Sequence, residues 1–404
     1  MTFRSRVLGL IAAALTVWWA VPEPATAQPS GSPIRIGGTL ALTGPLAAQT
    51  IAHKLVGELF VEQLNKNGGL LGRPVEFILL DDQAKPELAR TLYERLLTVD
   101  KVDLIIGAFG SAANLGVFGV AQRYGKIVIC NSMAIPKLSS YPLHFPVQGL
   151  SGSPEIDLPN KLFDALATTA SPPKRIGVLG SKFPSIQYIS EGVRDVAIKR
   201  GLQVPLYLEY EFGTREYGPI AARVKDADPD FLWVGGLGVE GIGLIEAMKR
   251  IGYSPKGHVY LFPAAGAFVK VPEANNAFSF SAFEQHPPLT DRPGIAEFVQ
   301  LYNERAAAAG LPYVKVEHQA AIAYAIWQVL KAGVEGAGSL DDKAIAQWLK
   351  TNTVPSILGT QRFNTPNNYG DDLNNLVQLQ NGSWVTVYPA NLAAPGAKLN
   401  HPIR

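Results

Sequence analysis

Along this chain short apolar runs recur, each followed by a loop of small residues and then by apolar positions at helical spacing. The strand-like runs are Ile34–Leu42, Val75–Asp81, Leu104–Phe109, Lys126–Ser132, Arg175–Ser181, Phe231–Gly236 and Val259–Phe262, with another around Leu206. Near-continuous hydrophobicity is what strands covered on both faces need, and their alternation with helices predicts an α/β fold with parallel sheets. Ile51, Leu55 and Leu59, with Val56, Phe60 and Leu64 beside them, predict a helix over Gln49–Asn65 that stops at Asn67-Gly68-Gly69. Further helices are expected at Pro293–Ala308, Glu317–Lys331 and Asp341–Lys350, and a hairpin at Leu376–Gln380 and Ser383–Tyr388 around Asn381-Gly382. Folds of this kind bind ligands beyond the carboxyl ends of their strands, so the strand-end loops are where function is sought.

Too many helices follow the second set of strands for one compact unit. The chain is therefore expected to cross between two Rossmann-like lobes more than once, through a hinge of several connections. The Pro-, Gly- and Ser-rich stretch Tyr141–Pro159 marks the first crossing, and the expected division is 33–149 with 282–360 for the first lobe and 150–281 with 361–390 for the second.

The first residues change the picture of where this fold works. Arg4 and Arg6 precede the apolar run Val7–Ala20, and Ala25-Thr26-Ala27 forms an A-x-A site, so residues 1–27 are expected to be a secretory signal and the protein periplasmic. Removing 27 of 404 residues leaves 377, and losing Arg4, Arg6 and Glu23 lowers the formal charge from +2 to about +1, which argues against nucleic acid or an anionic membrane as partner. The single cysteine, Cys130, forms no internal disulfide and is not at the cleavage site, where a lipid anchor needs one.

Each enzyme-like motif has a plainer reading. Gly236-Leu237-Gly238-Val239-Glu240-Gly241 follows a strand and opens a helix, yet no acid stands about 20 residues on to hold a ribose, so it reads as a tight turn at a cleft rim. Asp81 and Asp82 are adjacent in a strand and point to opposite faces, which suits turn and N-cap duty. The six histidines are scattered without an i, i+4 pair or a cysteine companion, so no metal is expected, and with no G-x-S-x-G or P-loop no cofactor or catalytic set is expected either. What remains is Gly107-Ala108-Phe109-Gly110-Ser111-Ala112-Ala113-Asn114, where Ser111 and the free N–H groups of a following helix would receive a carboxylate, or where Ser111 is an N-cap. The segment Cys130-Asn131-Ser132-Met133-Ala134 ends the next strand and is expected beside it.

With these residues the chain resembles the periplasmic solute-binding proteins of branched-chain amino-acid ABC importers, the leucine-binding, type I family. The resemblance is carried by Gly37–Leu46, Asn65–Pro74, Asp81-Asp82, Gly107–Ser111, Ala323-Tyr324 and Leu358-Gly359-Thr360 with Phe363, in that order along the chain. It implies a monomer with parallel central sheets and a multi-strand hinge, which closes on a small ligand and hands it to an inner-membrane permease. It places the ligand carboxylate on Ser111, with Phe109 and Gly110, and on the loop Ser132, Met133 and Ala134. Gln49 is implied as a first-loop contact, and Phe183, Ser185, Leu237, Gly238 and Ala264 as contacts from the second lobe.

Two departures bear on the ligand. Amino-acid binders of this family hold the ammonium with a hydroxyl at the position of Ala134 and a glutamate at that of Ala264. A desolvated ammonium without a counter-charge is costly, so unless another acid such as Glu240 takes over, the expected ligand is a small hydrophobic carboxylate, an aromatic acid first. Branched-chain amino acids or short amides are the alternative ligands; a ligand-sensing module and an exported enzyme are the alternative roles.

Overall fold

The computed structural model describes residues 28–403; the signal-like segment 1–27 lies outside the described residues. Five strands, β1 (Ile34–Leu40), β2 (Val75–Asp81), β3 (Leu104–Ile106), β4 (Val128–Cys130) and β5 (His144–Pro146), form a parallel sheet in the order β2-β1-β3-β4-β5. Between them run α1 (Ala47–Lys66), α2 (Pro86–Thr98) and α3 (Ser111–Tyr124). The chain then enters a second sheet through α4 (Pro154–Ala167). This sheet contains β6 (Arg175–Ser181), β7 (Gln203–Tyr210), β8 (Phe231–Gly235), β9 (His258–Tyr260) and β10 (Phe278–Ser281), separated by α5 (Pro184–Lys199), α6 (Gly218–Ala227), α7 (Glu240–Arg250) and the single turn α8 (Ala265–Phe268).

Next come α9 (Ile295–Ala308), α10 (His318–Ala337) and α11 (Asp342–Thr351), which return to the first sheet. Their apolar residues share one core with α1 and β1; Trp327 of α10 stacks on Phe60 with ring centroids 5.7 Å apart and meets Phe77 edge-on. A small hairpin, β11 (Val354–Ser356) with β12 (Gly359–Gln361), precedes β13 (Asn375–Gln380) and β14 (Ser383–Tyr388), which join the second sheet in the order β14-β13-β10-β9-β8-β6-β7. There β13 runs antiparallel to both β10 and β14. Each sheet therefore has a point where strand order reverses, between β1 and β3 and between β6 and β8, and the loops leaving those strands flank a crevice. No helix among the described residues is long and apolar enough to cross a membrane.

The spans of β1, β2, β6, β8 and the hairpin follow the hydrophobic pattern closely. Both turn residues of that hairpin, Asn381 and Gly382, have positive φ, as a tight hairpin turn requires. Three strands are shorter than the pattern predicts: β3 ends at Ile106, β4 at Cys130 and β9 at Tyr260. Of the apolar residues beyond them, Phe109 and Phe262 line the crevice, whereas Ala108 and Leu261 are buried in the cores of their sheets. Helix α10 runs past Lys331 to Ala337 because its late glycines sit against a neighbour. A Cβ on Gly336 would lie 2.1 Å from the Trp348 ring of α11.

Candidate functional site

The β3–α3 and β4 loops are knitted together by their own side chains. The Asn114 amide, fully buried, donates to the carbonyls of Ala108 (2.8 Å) and Ser132 (3.1 Å). The Gly110 N–H donates to Ser132 Oγ at 2.6 Å, and Ser132 Oγ in turn donates to Asn131 Oδ1 at 3.0 Å. Gly110 has φ 99°, a conformation glycine favours, and Phe183 of the other sheet approaches within 3.5 Å of where its Cβ would be. The two loops are thus neighbours, as a parallel sheet predicts.

Ser111 is not the helix cap that one reading of the sequence allowed. Gly110 holds the cap position without any side-chain bond, and Ser111 is the first residue of α3. Its Oγ accepts the Ala134 N–H at 3.1 Å, which leaves the hydroxyl proton free to donate. The leading N–H groups of a helix have no intrahelical partner, so this corner presents donors and a partial positive charge.

These groups open into a pocket with about 490 Å³ of empty space, its mouth included. Of the residues singled out in the sequence, Phe109, Gly110, Ser111, Ser132 and Ala134 line it from the first sheet, and Phe183, Ser185 and Leu237 from the second. Met133 does not: its side chain is buried in the core beside α3, and its carbonyl accepts the Tyr369 hydroxyl. Gln49, Gly238 and Ala264 lie just behind the lining. Gln49 Nε2 spans the crevice to the Phe262 carbonyl at 2.9 Å, its amide lies 3.6 Å from where a Gly238 Cβ would be, and Ala264 borders a neighbouring cavity.

Sequence reasoning missed Asn131, Gln148, Leu150, Phe262, and the α10 residues His318, Gln319 and Ile322. Asn131 and Phe262 are one or two positions from residues that were named. The others arrive from the crossover and from α10, far along the chain, and no local signal marks them. Phe262 has φ 51° and stacks face to face on His318, with centroids 5.5 Å apart. His53, held neutral by burial with its pKa down to about 4, bonds to Gln319 Oε1 at 3.0 Å and orients that amide. Gln148 Nε2 and His318 Nδ1 are buried without a protein partner.

Among the described residues that line the pocket there is no Asp, Glu, Lys or Arg. Glu240 does not replace the missing acid. Its Oε2 accepts the Leu237 N–H and its Oε1 accepts from Ser181 Oγ and the Gly213 N–H, so it holds the glycine-rich turn together. Asp81 and Asp82 accept from Thr43, Gln83, Thr39 and Ala84 in a turn, whereas the cap position of α2 belongs to Lys85.

One pairing corrects the sequence reading outright: Cys130 does have a histidine companion. The adjacent strands β4 and β5 bring His144 Nε2 to 3.0 Å from Cys130 Sγ, with Ser139 Oγ 2.5 Å from the other ring nitrogen. Burial pushes the thiol up to about 12 and the imidazole down to about 3, so the pair is neutral and sealed from solvent. No group of three or more possible metal ligands occurs among the described residues.

A family model described as "Periplasmic binding protein" matches residues 33–383. The leucine-, isoleucine-, valine-, threonine- and alanine-binding protein of Pseudomonas aeruginosa is 23% identical over 339 residues, covering 82% of this chain and 85% of that protein. The Leu/Ile/Val-binding protein of Escherichia coli is 21% identical over 329 residues, covering 81% and 85%. Among solved structures, a leucine-binding protein from Thermotoga maritima superposes with a TM-score of 0.75 at 19% identity, covering 87% of this chain and 97% of that one. A solute-binding protein of an ABC transporter from R. palustris, in complex with benzoate, gives 0.74 at 18% identity, covering 91% and 99%.

Proposed function

Because the chain belongs to the periplasmic binding protein family, whose members bind solutes for ABC transporters and are not enzymes, we propose that it captures a small carboxylate with an apolar body and no α-amino group. One observation carries this reading. The pocket sets Ser111 and the N-terminus of α3 against walls of Phe109, Leu150, Phe183, Leu237 and Ile322, with no acid among the described lining residues. A carboxylate gains hydrogen bonds and a favourable helix dipole there, and an aromatic or branched body fills the apolar remainder. An α-ammonium would be desolvated without a counter-charge. The solute-binding protein from R. palustris that holds benzoate supports this reading.

The names of the relatives weigh toward a second reading, a branched-chain amino acid. Calorimetry with leucine, phenylalanine, benzoate and a hydroxycinnamate separates the two. The expected result is an acid without the amino group binding at least about tenfold more tightly than leucine, a difference of about 1.4 kcal/mol. Leucine binding more tightly than every deaminated acid would install the second reading.

The signal-like segment 1–27 supports export to the periplasm, and the family implies a membrane permease that receives the ligand. In this reading the segments 33–149 with 282–360 and 150–281 with 361–390 act as two lobes that close on the ligand. The cross-crevice contacts of Gln49 with Phe262 and of Phe262 with His318 support a closed form.

A further inference from the structure

A second cavity, with about 520 Å³ of empty space, its mouth included, adjoins the pocket: Gln319 lines both. Gln49 lines the second cavity and bonds to the carbonyl of Phe262, which lines the first, so little more than this amide and ring divides them. Around it Ala48, Ala52, Ala264 and Ala267 contribute only methyl groups, and the side chains with polar atoms that reach it are Gln49, Tyr302, Tyr313, Glu317 and Gln319.

Their hydrogen bonding is lopsided. Gln49 is 3% exposed; its Nε2 is committed to the Phe262 carbonyl, and that bond fixes which way the amide faces. Its Oε1 is left buried with no donor. An amide oxygen accepts only, and a buried acceptor without a donor is disfavoured, so the cavity calls for a hydrogen-bond donor from outside the chain. The Glu317 oxygens already take the N–H groups of Gln319 and Ala320, at 2.9 and 3.1 Å, as the cap of α10. Burial also raises this carboxyl to about 7, which weakens it as a settled counter-charge for a cation. A neutral donor therefore fits better than an ammonium.

We propose that this second cavity is a subsite for a hydroxyl group at the end of the ligand remote from its carboxylate, with Gln49 Oε1 as the acceptor and the Tyr313 hydroxyl, also buried without a partner, as a second polar group of the same cavity. The proposal rests on the carboxylate reading above and narrows it to acids that carry a distal hydroxyl. Benzoate with para-hydroxybenzoate, and cinnamate with para-hydroxycinnamate, form pairs that differ only in that group, and calorimetry on the mature chain measures the ratio within each pair. The hydroxylated member of at least one pair should bind about tenfold more tightly, as expected for a donor meeting an otherwise unpaired acceptor. Gln49→Leu and Tyr313→Phe should each shrink that ratio. Weakened closure alone lowers both affinities of a pair and leaves the ratio where it was. Equal affinities within both pairs would show that the cavity holds only water and overturn the subsite alone. A hydroxyl preference that survives both substitutions would place its acceptor elsewhere and also overturn it. Failure of every carboxylate to bind would overturn the carboxylate reading as well.

Discussion

At pH 4.5 this protein should unfold at a clearly lower denaturant concentration than at pH 7, with a loss of several kcal/mol. All six histidines have pKa values lowered by burial: His53 and His258 to about 4, His144 and His318 to about 3, His286 and His401 in the same direction. The unfolded chain takes up a proton on each near pH 6.5, while the folded chain refuses it until far lower pH. The stabilisation is thus fully present at neutral pH and is lost as pH falls from about 6.5 toward 4. A shift of the size shown by His53 corresponds to on the order of 3 kcal/mol.

Buried carboxyls act in the opposite sense. Desolvation raises Glu317 to about 7 and holds Glu284, Asp82 and Glu240 above their usual range. These groups bind protons more readily folded than unfolded, so acidification relieves their strain and offsets part of the loss. Four histidines carry large downward shifts, and the net dependence is expected to follow their sign. Denaturant midpoints at the two pH values test the balance, and coincident midpoints would refute it. His258→Asn, at a position with an unpaired buried Nε2 far from the pocket, should flatten the slope.

Ser111→Ala should weaken carboxylate binding by roughly tenfold to a hundredfold, the equivalent of ~1.5–3 kcal/mol for a hydrogen bond to a charged group. The reason lies in which hydroxyl has a proton to give. Ser132 Oγ already accepts from Gly110 and donates to Asn131, whereas Ser111 Oγ only accepts, from Ala134. Ser111 Oγ also accepts the buried Ala134 N–H, so the substitution removes one tie between the two loops and should lower thermal stability modestly. Ser132→Ala removes a tie between two loops and should lower stability along with affinity. Titration of both variants beside their melting curves checks the contrast; equal and small losses of affinity would assign the carboxylate to backbone donors alone.

How far the sequence reaches can be judged from particular residues. Periodicity located β1, β2, β6 and the Asn381-Gly382 hairpin because a residue's own character and that of its neighbours decide those elements. It overran β3 and β9 because Phe109 and Phe262 are as apolar as any strand residue, and only the tertiary fold turns them toward a pocket. Family motifs named Ser111, Phe183 and Leu237, which line the pocket, but also Met133, which faces the core, and Ala264, which borders the adjoining cavity. Cys130 and His144 are 14 positions apart and meet only because β5 lies beside β4, a strand the hydrophobic pattern did not reveal.

The return of α9–α11 to the first sheet governs how the chain can be made. All five strands of that sheet are complete by Pro146, but the helices that cover α1 begin only at Ile295 and end at Thr351. During synthesis the apolar face formed by Val56, Leu59 and Phe60 must wait uncovered while the whole parallel part of the second sheet emerges. A nascent chain in that state exposes hydrophobic surface and invites association, so the first sheet cannot mature as an early, self-sufficient unit. Its final packing is a late event, completed only after nearly the full chain has been delivered.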